Sequence, residues 1–252
     1  MSDWMASFSM LHNGSLMLYF LKGVAFSLVI AAVAIVISFF FGTAMALVRN
    51  YCTKGPARVL KWLSVAYIEV FRNTPLMLWL FICLVAMPVP SVSPVFAKSI
   101  GLSSSEVQIL LKAIVALVLF TSSVMAEIIR GGLNSVANGQ FEAGYSQGFH
   151  FLQVLVYIVL PQTMRVVMPT LLGQMITTIK DTSYVANIAY IEFLGRVFRM
   201  IQLAPMYTGQ STQQVTDVFV LCGMACAIYF AINFTLSCIV RSMQKVRKAS
   251  SV

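Results

Sequence analysis

Three groups of residues in this sequence have types and spacings able to handle a charged or polar partner. Glu69 and Arg72 stand three residues apart, as do Glu127 and Arg130, so each pair meets on one face of a helix. Lys180, Asp181, Thr182 and Ser183 follow one another directly. Ionisable groups inside apolar surroundings usually face a bundle interior or a wet cavity. Two readings stand side by side: a polar inner gate, or self-neutralised pairs that only fix helix packing. The third group runs from Glu142-Ala-Gly-Tyr-Ser-Gln to Gly148, then nine residues, then Ile158-Val-Leu-Pro161. It describes a short helix with small residues on one face, a glycine stop, an amphipathic stretch and a proline-started span. Small residues let such a hairpin seat closely in a groove of another protein, and Glu142 suits a basic partner or a helix N-terminus.

Several chemistries are excluded by what is lacking. No G-x-x-x-x-G-K-[ST] occurs, so the chain is not expected to cradle a nucleotide phosphate. The two histidines, His12 and His150, have no metal-like neighbours, and there is no H-E-x-x-H. Cys52, Cys83, Cys222, Cys226 and Cys238 are scattered, mostly within apolar runs, and read as small packing residues. The chain is expected to have no catalytic residues and no metal site, and not to be an enzyme itself.

The elements that position these residues must lie in lipid. Of the 252 residues, 59% are hydrophobic and only 10% charged, and the mean hydropathy is +0.86. A water-soluble domain carries roughly a quarter charged residues. Lipid offers no hydrogen bonds, so spans must be helices or a closed barrel, and long unbroken apolar runs favour helices. The pattern predicts an all-α polytopic protein whose single domain, 1–252, has about five spans: 23–48, 62–87, 107–130, 161–179 and 215–240. Gly131-Gly132 is expected to stop the third, and 149–160, too short to cross, to lie at the interface before Pro161 opens the fourth. Residues 191–203 form a further helical stretch with Arg196 and Arg199 on one side. The net charge of +9 sits in the flanks of the apolar runs, and no basic-aromatic module accompanies it, so nucleic acid is not an expected partner. Arg49, Lys54, Arg58 and Lys61 share one loop, and Arg241, Lys245, Arg247 and Lys248 mark a basic tail, 241–252. Four spans separate loop from tail, so both fall on the cytoplasmic side and the N-terminus outside. Arg196 and Arg199, placed outside, run against that tendency. Tyr51, Trp62 and Tyr67 fit an aromatic belt near the cytoplasmic edge.

The Glu142 segment resembles the EAA loop of ABC importer permeases, written E-A-A, three residues, G, nine residues, I, one residue, L-P. Gly144 stands where that pattern has alanine. Ile68-Glu-Val-Phe-Arg-Asn-Thr-Pro75 is similar to the E-V-F-R-G-T-P segment of polar amino-acid permeases, with Asn73 in place of glycine. Ala126-Glu-Ile-Ile-Arg-Gly-Gly132, Gly139-Gln140, Leu160-Pro-Gln162 and Lys180-Asp-Thr-Ser183 resemble further stretches of that family. The resemblance implies a type I importer permease of a bacterial cytoplasmic membrane, taking up a polar amino acid. It implies that Gly139, Glu142, Ala143, Gly144, Gly148, Ile158, Leu160 and Pro161, within a coupling loop over 139–160, dock a cytoplasmic ABC ATPase dimer. ATP and magnesium are then bound by that ATPase. It places Glu69, Arg72, Thr74, Glu127, Arg130 and Lys180 to Ser183 along a substrate path or gate. The remaining expected partners are a second permease, identical or a sister, an extracytoplasmic solute-binding protein and membrane lipid. An ion-coupled secondary transporter is the alternative, disfavoured because no repeated half is visible.

Overall fold

The computed structural model describes residues 2–249 along the backbone, and side chains for 4–242 and 244. The side chains of Lys245, Arg247 and Lys248, part of the expected tail, lie outside the described residues, as do residues 250–252. The helices are α1 (Ser2–Ser9), α2 (Gly14–Tyr51), α3 (Ala57–Arg72), α4 (Leu76–Ala86), α5 (Pro94–Ser99) and α6 (Ser104–Ser135). They continue as α7 (Gly139–Ser146), α8 (Phe151–Val154), α9 (Leu160–Asp181), α10 (Phe193–Thr208) and α11 (Val215–Ala249). Among the described residues there is no strand. Gly14–Tyr51, Ser104–Ser135, Phe151–Asn187 and Val215–Ser242 are each long and apolar enough to cross a bilayer, and α3 with α4 passes only as a bent pair, making up to five. The all-α, multi-span architecture is therefore as expected.

Its boundaries are corrected at five places. The first long helix opens at Gly14, nine residues before the expected 23. The run 62–87 is not one helix: it breaks between Arg72 and Leu76, where Pro75 has no N–H to donate and biases Thr74 away from helical geometry. Gly131-Gly132 does not stop α6, which continues to Ser135. A Cβ on Gly132 would meet Val167 and Thr163 side chains of α9, so this glycine admits a close helix approach. Residues 149–160 are not a separate interfacial helix. α8 leads through a π turn, Leu155–Val159, directly into α9, so Pro161 lies inside a continuous helical run. In a regular α-helix the Pro161 ring would press on the carbonyl four residues back, and the wider π turn relieves that clash. The last helix extends to Ala249, beyond the expected 240.

The chain forms two compact units. One comprises residues up to Val33, Met77–Leu117 and Ile176–Arg241. Its buried cluster joins Met10, Leu16 and Phe20 to Phe193, Val197, Met200 and Leu221. The Ser7 hydroxyl donates to buried Asp217 Oδ1 at 2.6 Å, tying α1 to α11. Glu192 caps α10: its carboxylate accepts from the N–H groups of Leu194 (2.9 Å) and Gly195 (2.5 Å). Ser27 Oγ (3.2 Å) and Tyr229 Oη (3.3 Å) also donate to it. Burial nevertheless dominates and pushes the Glu192 carboxyl up to about 7 from its ordinary 4.5.

The second unit holds Ala34–Leu76 and Val118–Met175. Its core packs Ala46, Ile68, Met125, Ile129, Val154, Val159 and Leu171. Gly42 makes this closeness possible, because a Cβ there would lie 2.8 Å from the Ser122 carbonyl oxygen and 3.1 Å from the Ala126 nitrogen. Tyr67, expected in an aromatic belt, has its hydroxyl turned to α6: it donates to the Leu119 carbonyl at 2.7 Å and lies 2.7 Å from Ser122 Oγ.

Two predictions arise. A folded pKa above the unfolded one means that the Glu192 contribution is fully present below about 4.5 and is lost as pH rises through about 7. The unfolding midpoint of the purified protein should fall across that window, and Glu192→Gln should remove that component of the slope. Gly42→Ala should destabilise by ~1–3 kcal/mol through overpacking against backbone. Gly131→Ala, where nothing lies within 4 Å of the added Cβ, should be neutral or stabilise by up to ~1 kcal/mol. Thermal unfolding in one detergent, with both variants in parallel, reads the difference in sign.

Candidate functional site

The second unit brings the expected charged pairs into one network and adds a member. Glu127 on α6 is its centre. Arg130 Nε lies 3.0 Å from each carboxylate oxygen of Glu127, and Arg49 Nη1 on α2 donates to Oε2 at 3.0 Å. Arg72 Nη1 on α3 stands 3.8 Å from Glu127 Oε1. Glu69 closes the ring, 3.3 Å from Arg49 Nη2 and 3.4 Å from Arg72 Nη2. Asn73 Nδ2 also donates to Glu69, at 3.0 Å to Oε2 and 2.9 Å to the carbonyl oxygen. These are not two isolated pairs but three arginines around two carboxylates, drawn from three helices. The helical spacing of the pairs fixes Glu69 beside Arg72 and Glu127 beside Arg130, and Arg49 bridges them.

Arg49 was expected as a loop cation marking the cytoplasmic side. It belongs instead to the last turn of α2, at the end of the apolar run and five residues before Lys54, which is the signal that sets it apart from the true loop. The surplus guanidinium leaves the cluster net positive. The ring is half-buried and ties α2, α3 and α6 together through its contacts.

Thr74 lies in the break between α3 and α4, with its hydroxyl donating to the Val70 carbonyl at 2.7 Å. Lys180, Asp181, Thr182 and Ser183 belong to the other unit. There α9 ends at Asp181 and a 3-10 turn covers Thr182–Asn187, so the helix is interrupted where the sequence placed a break. The Thr182 hydroxyl is buried and donates back to the Ile179 carbonyl at 2.8 Å; Lys180 is exposed.

The 139–160 segment is built in two layers. Gly139 opens α7, whose Glu142, Ala143 and Tyr145 are exposed while Gly144 is buried. A Cβ on Gly144 would stand 2.6 Å from Val154 Cγ2 and 3.2 Å from Ile158 Cδ1. Glycine at this position therefore serves close packing of α7 on α8 and the π turn, beyond its cost in helix propensity. At the far end Gly148, at φ +81°, donates to the Tyr145 carbonyl (2.9 Å), and Phe149 donates to the Gly144 carbonyl (3.1 Å). This Schellman arrangement needs a left-handed residue, which glycine adopts without a Cβ clash. Tyr51, expected in an aromatic belt, packs its ring 6.1 Å from Phe141 and 5.3 Å from Phe151, and Phe141 stacks on Phe151 at 6.4 Å. Gln162 Nε2 donates to Gln140 Oε1 at 2.9 Å, and Leu160 and Pro161 form the exit from the π turn. The result is a short helix with one face fixed and the other presented to solvent.

Sequence reasoning missed Glu192 as well. Its sequence signal is an acid just before a helical run, Glu192-Phe-Leu-Gly195, the pattern of a helix N-cap.

Residues 39–246 match the family of binding-protein-dependent transport system inner membrane components. The chain is 33% identical over 242 residues to the probable glutamine ABC transporter permease protein GlnP of Bacillus subtilis (strain 168), covering 96% of this chain and 98% of that protein. It is 30% identical over 231 residues to the glutamate/aspartate import permease protein GltK of Escherichia coli O157:H7, covering 90% and 92%. In fold it is similar to a chain in the crystal structure of an amino acid ABC transporter with histidines, with a TM-score of 0.70 and 23% identity over 94% of this chain and 97% of that one.

Glu127 contacts three cations, whereas Arg72 makes only the two longest contacts of the ring. Glu127→Gln should therefore lower the unfolding midpoint more than Arg72→Gln, because it leaves three guanidiniums facing one another. Differential scanning fluorimetry of both variants in the same detergent gives the order, and an equal or reversed ranking would contradict the central place of Glu127.

Proposed function

The chain belongs to the family of binding-protein-dependent transport system inner membrane components, and we propose that it forms half of an ATP-driven import path for a polar amino acid. It is a permease subunit of an ABC importer, without an ATPase of its own. The substrate class rests on the relatives, which are named for glutamine and for glutamate/aspartate. Nothing in the comparisons favours an ion-coupled transporter.

The observation that carries the mechanism is α7 itself, a short helix with Gly144 seated on Val154 and an exposed face bearing Glu142 and Ala143. In this reading that face docks a cytoplasmic ATPase dimer, where ATP and magnesium are bound. Val154 and Val159, beneath α7, lie in the same buried cluster as Ile68, Met125 and Ile129. Those three neighbour Glu69, Glu127 and Arg130 in sequence, on the helices that carry the arginine–glutamate ring. Close-packed interiors move as blocks, because voids cost contacts. A push on α7 as the ATPase closes would then shift α3 and α6 against α2 and exchange contacts in the ring, which acts as the gate. Two permeases, identical or sisters, would face each other across the path, and a solute-binding protein would deliver the amino acid from outside. Thr74 and the segment Lys180–Ser183 are assigned to the path, with Arg49 added to the gate. The N-terminus is assigned to the outside, with Lys54 in the turn before α3, Arg58 and Lys61 at the start of α3, and the tail, on the cytoplasmic side.

Glu142→Lys reverses charge on the exposed face, and Gly148→Leu puts a side chain into left-handed backbone at φ +81°. Both variants should insert at normal abundance yet lose uptake and substrate-stimulated ATP hydrolysis at least tenfold in vesicles reconstituted with the ATPase and binding protein. Normal uptake by either at wild-type abundance would sink the coupling assignment, and screening amino acids in the same vesicles identifies the substrate.

A further inference from the structure

Within the first unit, α2, α5, α6 and α10 enclose a groove of about 1060 Å³ that the transport reading leaves unused. Lys22, Lys98, Arg196 and Arg199 line it, against one carboxylate, Glu106. That carboxylate is already engaged, accepting from the Ser103 N–H and hydroxyl at 2.8 Å each. Among the described residues, none of the four cations has a carboxylate within the 4.0 Å of an ion pair. Arg196 is fixed in place. Its Nε donates to the Ile191 carbonyl (2.9 Å) and Nη1 to the Tyr19 carbonyl (3.0 Å), with the guanidinium 4.5 Å above the Tyr19 ring. Its charge is thus part of the wall.

Most of the remaining lining is apolar, Ser15 and Ser99 apart, and it runs into exposed apolar surface. Leu18 and Val29 of α2 are 54% and 58% exposed, and Ile100 is 41% exposed. The depth is defined by sequence. Lys22 is the last polar residue before the apolar run from Gly23, and Glu106 lies in the first turn of α6. With the bent α3–α4 pair counted as one crossing, the starts of α2 and α6 emerge on the same side. The four cations therefore lie at the headgroup level of one leaflet, above an apolar wall. An uncompensated basic cluster there calls for an anion, and the apolar wall calls for one that carries hydrocarbon.

We propose that this groove is a binding site for an anionic phospholipid, its phosphate held by Lys22, Lys98 and Arg199 and an acyl chain lying along Val29. The inference rests on the chain spanning a membrane and not on which solute is carried. A bound anion offsets the local positive charge, and the lipid joins the start of α2 to α10.

The test is native mass spectrometry of the assembled transporter purified from vesicles containing equal phosphatidylglycerol and phosphatidylcholine. Wild type should retain phosphatidylglycerol, and the Lys22→Gln/Lys98→Gln/Arg199→Gln variant should retain it at least fivefold less, with phosphatidylcholine unchanged. Lys22→Arg/Lys98→Arg should restore retention, which separates loss of charge from misfolding. Equal phosphatidylglycerol in wild type and the Gln variant would overturn the proposal. Release of the lipid by millimolar inorganic phosphate would also overturn it, because the site would then be one for small anions. So would labelling of Lys98→Cys by a water-soluble maleimide that rises on dilution of the protein and not on delipidation, since a second copy would then fill the groove. Uptake in the Gln variant is measured separately, so failure of the lipid site and failure of the transport reading remain distinguishable.

Discussion

A carboxylate carried by a membrane helix needs cations close enough to replace the water it has lost, and in this protein that requirement organises the second unit. Arg130 reaches both oxygens of Glu127, yet a carboxylate accepts about four hydrogen bonds, so lone pairs remain for other donors. Arg49 from α2 and Arg72 from α3 complete the shell, so three helices must meet at one place and at one height. The close approach then demanded elsewhere falls on small residues. Gly42 lets α2 touch the backbone of α6, and Gly132 lets α6 receive side chains of α9. The electrostatic demand and the steric allowance are two sides of one packing solution.

The architecture was legible because lipid restricts the menu of structures so strongly. Apolar runs located the long apolar helices, and the paired charges at helical spacing identified residues that do meet. What sequence reading lost were events within a span. Pro75 divides a run that hydropathy treats as one, and Gly131-Gly132, an ordinary helix terminator in a water-soluble setting, is carried through by α6 because α9 packs on Gly132. Proline at 161 was taken as a beginning because proline is tolerated at helix starts; the π turn shows another way to accommodate it.

For the site, local patterns were readable and long-range ones were not. The spacing from Glu142 to Pro161 placed α7 and its glycine stop correctly, because that information lies within one stretch of chain. Arg49 escaped because its partner carboxylates lie 20 and 78 residues away: its place at the end of the apolar run sets it apart from the loop but does not name the carboxylates it bridges. The ring contacts of Tyr51 escaped for the same reason: its partners Phe141 and Phe151 are remote in sequence. Glu192 escaped because its N-cap pattern is short, and burial, which raises its pKa, is a tertiary property.

The π turn at Leu155–Val159 also changes how the helix through it presents its faces. A single widened turn holds one more residue than an α-turn, which advances the side chains after it by about 100° relative to those before it. Phe151–Val154 and Leu160–Asp181 therefore follow two separate phases along one rod. A helical-wheel projection drawn through both would blur the face on which α7 rests into the helix's other faces. The extra residue works as a phase shifter: the polypeptide keeps its direction while its chemistry turns to a different neighbour.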